Sequence, residues 1–118
     1  MTNISISSGF GNWSTALTEN PQTGSMYTLV LGDDNKFISL NNAGSMVLGI
    51  PINGSAAFPV GCQVLMYQSG AGQVIVSGLA GVTLNCAGNK NKLNSQFSSA
   101  CLLKTATDTW LLMGDTTT

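Results

Sequence analysis

The chain has 118 residues and a formal net charge of −1, with hydrophobic residues at 43% and charged residues at only 8%. This suits one folded domain and excludes the disordered class. Its four cations are Lys36, Lys90, Lys92 and Lys104, and it has neither arginine nor histidine. A phosphate-binding basic patch, the commonest general base and the commonest metal ligand are therefore all missing, so neither nucleic-acid binding nor an enzyme is expected.

Residues 1–25 read as an N-terminal arm: polar, punctuated by Gly9, Gly11, Pro21 and Gly24, with scattered apolar residues at Ile4, Ile6, Phe10, Trp13 and Leu17. Such a segment is expected to be either a loosely ordered terminus or one that orders on a neighbouring subunit. The start, MTNISISSGFGNWS, has neither a basic n-region nor an apolar h-region, so no signal peptide is expected.

From Met26 to Asp115 short aliphatic and β-branched runs alternate with turn clusters, the pattern of an all-β domain, here expected as a single antiparallel β-sandwich or barrel-like fold. Tyr27 to Leu31 is expected to turn through Gly32-Asp33-Asp34-Asn35 into Lys36 to Leu40 as a hairpin. Asn41 to Gly44 is a second turn, Met46 to Ile50 a third strand, and Pro51 its end. Cys62 to Gln68 carries Cys62, Val64 and Met66 on one face and Leu65 and Tyr67 on the other. Ser69-Gly70-Ala71-Gly72 is expected to reverse it into Gln73 to Ser77. In Val82 to Cys86 the residues Val82, Leu84 and Cys86 point inward, and Gly88 to Lys92 is an exposed loop. Ala100 to Lys104 and Thr109 to Met113 close the domain, and 116–118 form a short tail.

No period of 20 to 50 residues repeats, which argues against a solenoid. No stretch is long and apolar enough to span a membrane. Strands apolar on both faces, with no helix to cover the second, predict burial against another subunit.

Few side chains offer chemistry. Cys62, Cys86 and Cys101 lack any C-x-x-C spacing, so they read as small buried hydrophobes, or as one disulfide plus a free thiol. The Asp33-Asp34-Asn35 cluster lacks the spaced carboxylates of a calcium loop and reads as turn chemistry. Asp108 and Asp115 flank a strand, roughly 23 Å apart if extended, too far for paired acid–base work. No cofactor or metal is expected. Trp13, Tyr67 and Trp110 are candidate sugar-stacking platforms, and Phe10, Trp13, Tyr67 and Trp110 are the candidate partner contacts.

Two segments resemble a β-domain common on bacteriophage virions, in tail-fibre modules and small capsid-surface proteins. Phe58-Pro59-Val60-Gly61-Cys62-Gln63-Val64, followed by Gln68-Ser69-Gly70-Ala71-Gly72-Gln73-Val74, is similar to its "f-p-x-G-x-x-[IV]…Q-x-G-x-G-x-[VI]" cadence. Ala100 to Lys104 and Asp108 to Asp115 resemble its closing strand pair, ending Trp110-Leu111-Leu112-Met113-Gly114-Asp115. The resemblance covers roughly residues 26–115. It implies an enzymatically inert, trimeric or otherwise oligomeric β-structure on the particle, made in the host cytoplasm. The function expected from it is capsid decoration, with the major capsid protein as partner. The alternative is a tail-fibre tip or accessory adhesin that binds a host glycan.

Overall fold

The computed structural model describes residues 16–118. They form eleven strands: β1 (Thr18–Gln22), β2 (Met26–Thr28), β3 (Lys36–Leu40), β4 (Met46–Ile50), β5 (Gln63–Gln68), β6 (Val74–Gly78), β7 (Thr83–Cys86), β8 (Lys92–Leu93), β9 (Ser99–Ala106), β10 (Thr109–Gly114) and β11 (Thr116–Thr117). The class is all-β, in two sheets. One has the order β1-β3-β5-β9-β10-β7 and the other β11-β8-β6-β4-β2.

The pairing corrects the antiparallel expectation, because both sheets are mixed. β1, β3 and β5 are parallel neighbours in the six-stranded sheet, and β2, β4 and β6 are parallel neighbours in the five-stranded one. Successive strands thus alternate between sheets, and the chain winds in three coils, each supplying one strand to each sheet. This is the stacking of a solenoid, which the sequence conceals because the coils differ in length. Glu19 stacks on Phe37 and Phe37 on Leu65, 18 and then 28 residues apart. Antiparallel pairing enters after the third coil, where β8 joins β6 in one sheet and β9 joins β5 in the other before turning through Thr107-Asp108 into β10.

Two of the expected hairpins are consequently corners. Leu31–Asn35 is a 3-10 turn that carries the chain from β2 in one sheet to β3 in the other. Ser69 to Gln73 likewise crosses from β5 to β6. The corners stack. The Asn42 amide donates to the Thr23 carbonyl at 2.8 Å, and Gly72 N donates to the Asn42 carbonyl at 2.8 Å. The ordered structure also reaches beyond the expected boundaries, since β1 lies within the segment read as arm and β11 within the tail.

Alternation explains the core. Ile38, Leu40, Val64, Met66, Leu102, Trp110 and Leu112 of one sheet and Met46, Leu48, Ile50, Val74 and Val76 of the other are buried in a single cluster. Phe58, from the loop before β5, meets Trp110 edge to face with ring centroids 5.4 Å apart. That geometry contributes about 1 kcal/mol beyond area burial.

Candidate functional site

Three places concentrate chemistry: a buried lysine cluster, a buried carboxylate network and the outward face of the six-stranded sheet. The first two hold the fold together.

Lys104 shares the inward side of β9 with Ala100 and Leu102 and is only 2% exposed. Its ammonium donates to the Phe58 carbonyl and to Asn53 Oδ1, both at 2.6 Å, and lies 6.0 Å from the Trp110 ring centroid. Asn53 N donates in turn to Asp108 Oδ1 at 2.6 Å. A buried ammonium is tolerable only when its protons are satisfied, and here that requirement pins the loop of residues 51–61 to the hairpin. Gly61, at φ 93°, donates its N–H to the Lys104 carbonyl. Phe58, Gly61, Lys104 and Trp110, all within the motif segments, meet in this cluster. Gln68 ties down the corner after β5 in the same way. Its side-chain oxygen accepts from Val74 N, and its amide donates to the Gly70 carbonyl.

Asp33 is fully buried and accepts hydrogen bonds from the Tyr27 hydroxyl at 2.6 Å, Asn20 Nδ2 at 2.9 Å and Val30 N at 3.0 Å. It closes the 3-10 turn. Burial, and then the hydrogen bond to Asp33, push the Tyr27 phenol up to about 12. Among the described residues no group of three or more His, Cys, Asp or Glu could hold a metal ion.

The outward face is different. Cross-strand register sets Glu19, Phe37, Leu65, Cys101 and Met113 in one row across β1, β3, β5, β9 and β10. Tyr67 lies in the next row beside Ser39 and Ser99. Leu65 and Met113 are exposed, and Phe37, Tyr67 and Cys101 are half-buried. Phe37 and Tyr67 pack with ring centroids 6.3 Å apart. With Leu65, Phe97 and Ser99 they line an open groove of about 450 Å³. A neighbouring cleft is lined by Leu17, Lys36, Cys62, Leu65 and Cys101.

Phe97 dominates the groove. It is 72% exposed at φ 72°, a left-handed conformation that a bulky side chain rarely adopts. Its neighbours impose it. Phe97 N donates to the Gln68 carbonyl at 2.6 Å, Gln68 N to the Ser98 carbonyl, Ser98 Oγ to Asp115 Oδ2, and the Gln96 amide to the Ser69 carbonyl. Strain of this kind costs on the order of 1–3 kcal/mol and persists only where the surroundings overdetermine it.

The sequence-based candidates divide accordingly. Tyr67 lies on the outward face and lines the groove. Trp110, expected as a partner contact, is 1% exposed and belongs to the core, because its parity in β10 matches that of Leu112. Phe10 and Trp13 lie outside the described residues. Phe97 was not among the candidates, since nothing in the polar run from Asn94 to Ser99 signals its backbone conformation. The three cysteines are free and half-buried. Burial pushes the Cys62 thiol up, aided by the charge of Asp34, and burial also raises Cys101. Both are thus disfavoured as thiolate nucleophiles.

Comparison with protein-family models, with curated proteins and with solved structures finds no match to this chain.

Proposed function

We propose that this protein is a non-enzymatic structural subunit that decorates and stabilises a bacteriophage capsid, docking on the major capsid protein and on copies of itself, with a trimer as the expected assembly. The observation that carries the reading is the apolar row Phe37, Leu65, Cys101 and Met113 on the solvent side of the six-stranded sheet, with Tyr67 and Phe97 beside it. Contiguous exposed apolar surface of this kind marks interaction sites. The scarcity of charge agrees, since a chain of net charge −1 has little self-repulsion in a dense array. The resemblance of residues 26–115 to virion β-domains supplies the particle, and virion surface is the corresponding location.

The test is the copy number of this chain relative to the major capsid protein in purified particles, by quantitative mass spectrometry. A ratio of order one is expected for a head-covering subunit. A handful of copies per particle would overturn it and move the protein to the tail.

The second reading, a tail-fibre tip or adhesin that binds a host glycan, is favoured by one feature. Tyr67 and Phe97 offer aromatic faces to the open groove beside the Ser99 hydroxyl, without a charged lining residue. Binding on an array of host polysaccharides, lost in Tyr67→Ala, would support it.

A further inference from the structure

We propose that Lys104 and Asn53 are the two halves of a latent covalent cross-link, an isopeptide bond from Lys104 Nζ to Asn53 Cγ that ties β9 to the loop of residues 51–61. The proposal is independent of any role on a particle. Three observations carry it.

The first is contact. Lys104 Nζ lies 2.6 Å from Asn53 Oδ1. With a C=O bond of about 1.23 Å, the carbonyl carbon is at most about 3.8 Å from the amine. Reacting atoms in a near-attack conformer are about 3–3.5 Å apart, so a small rotation of the amide suffices. The second is restraint. Nζ is also held at 2.6 Å by the Phe58 carbonyl, and Asn53 N is held at 2.6 Å by Asp108 Oδ1. Nucleophile and electrophile, 51 residues apart in sequence, are thus each fixed by a second hydrogen bond.

The third is shelter. Lys104, Phe58 and Trp110 are all buried, with the Trp110 ring centroid 6.0 Å from Nζ. Water, the competing nucleophile for the amide, is kept from that side.

The chemistry closes without a co-reactant. The Lys104 ammonium gives one proton to the Asp108 carboxylate, and the freed lone pair attacks Asn53 Cγ. The Nζ–Cγ bond forms and the Cγ–Nδ2 bond breaks. Nδ2 takes a second proton from Nζ and the one held by Asp108, and leaves as ammonium. Nothing is oxidised or reduced, and Asp108 is returned as the carboxylate. A link between residues 53 and 104 acts on the unfolded chain as a disulfide of that span does, a staple that the three free cysteines do not supply.

The test is the intact mass of the purified full-length protein, followed through prolonged incubation at neutral pH. A species lighter by one molecule of ammonia is expected to accumulate. After trypsin, residues 37–90 are expected to be joined to residues 93–118, with no cleavage at Lys104. The joined peptide is expected to be missing from chains incubated in urea and from Lys104→Met. Asp108→Asn suits the left-handed backbone at that position and keeps an oxygen for Asn53 N, so a rate at least about tenfold lower isolates the proton transfer. A wild-type chain that keeps its full mass overturns the proposal. Ammonia loss that persists in Lys104→Met also overturns it, because Gly54 N has then closed a succinimide on Asn53. Linking at the wild-type rate in Asp108→Asn overturns the proton path through Asp108.

Discussion

Gly72 sits against the carbonyl of Gly44 so closely that no Cβ fits between them. The contact joins two corners of successive coils, and the glycine at position 72 is what lets the third coil settle on the second. Gly72→Ala must therefore move backbone, and a loss of about 2–4 kcal/mol is expected. At Gly44 the nearest atom to an added Cβ is the Asn42 Oδ1 at 3.6 Å, so Gly44→Ala is expected to cost under about 1 kcal/mol. Urea unfolding midpoints of the two variants check the asymmetry, and equal losses would refute close corner stacking.

The Lys104 cluster makes a second ordering testable. Lys104→Ala removes a buried stem, leaves a cavity and orphans the Phe58 carbonyl, for an expected loss of about 2–4 kcal/mol. Lys104→Met keeps most of the volume and removes a charge that is expensive to bury, so about 1–2 kcal/mol is expected. Chemical denaturation of both variants decides. Equal losses in the two variants would mean that the ammonium, which both lack, and not the packing of the stem holds residues 51–61 in place.

How far the sequence disclosed this architecture depends on which signal is considered. Alternation located β3, β4, β9 and β10, because Ile38 and Leu40, or Leu102 beside Leu103, show which side faces the core. The same alternation is blind to strand direction. Asn41 to Gly44 and Ser69 to Gly72 have the composition of hairpin turns, and a corner that crosses between sheets uses identical residues. Lys104 could have been found, since it continues the inward parity of Ala100 and Leu102 in a chain with few charges. The outward apolar face was legible as Leu65 opposite Val64 and Met66. Phe97 was not, because its φ is set by hydrogen bonds that tie it and Ser98 to Gln68 and Asp115, both distant in sequence.

Tyr27 links stability to alkaline pH. Burial and the Asp33 hydrogen bond favour the neutral phenol in the folded chain, with a value of about 12 against 10.0 in the unfolded one. Between these values the folded state binds more protons than the unfolded state, so stability falls as pH rises. The contribution is complete below pH 10 and is lost toward pH 12. Tyr27→Phe is expected to be less stable than wild type at neutral pH and to show a shallower decline over this window. Denaturation series at several alkaline pH values check it, with phenolate absorbance as the direct titration. Parallel declines in the two proteins would exclude Tyr27 as the source.

Raised thiols make a prediction about reactivity. Cys62 and Cys101 are half-buried and held above the ordinary thiol range by desolvation, with Asp34 adding to the effect at Cys62. At neutral pH fewer molecules carry the reactive thiolate. Peptide mapping after iodoacetamide treatment is expected to show both positions modified more slowly in the folded chain than in urea. Folded-state rates equal to the unfolded ones would show that neither burial nor Asp34 suppresses the thiolate.

Leu65 and Met113 separate folding from docking. Both are exposed on the outward row, so Leu65→Asp and Met113→Asp remove little core packing and each is expected to change stability by under about 1 kcal/mol. Inside a docked interface the same carboxylate would be desolvated without a partner, at a cost of several kcal/mol. Leu65, central in the row and common to both clefts, is expected to lose at least about tenfold in affinity for expanded capsids, which corresponds to about 1.4 kcal/mol. Met113, nearer the end of the row, is expected to lose less. Co-sedimentation with capsids beside thermal melting of the same samples reads both quantities. Unchanged binding in Leu65→Asp would remove this face from the contact and shift attention to the five-stranded sheet, whose outward residues Val47 and Ile75 are half-buried neighbours on β4 and β6.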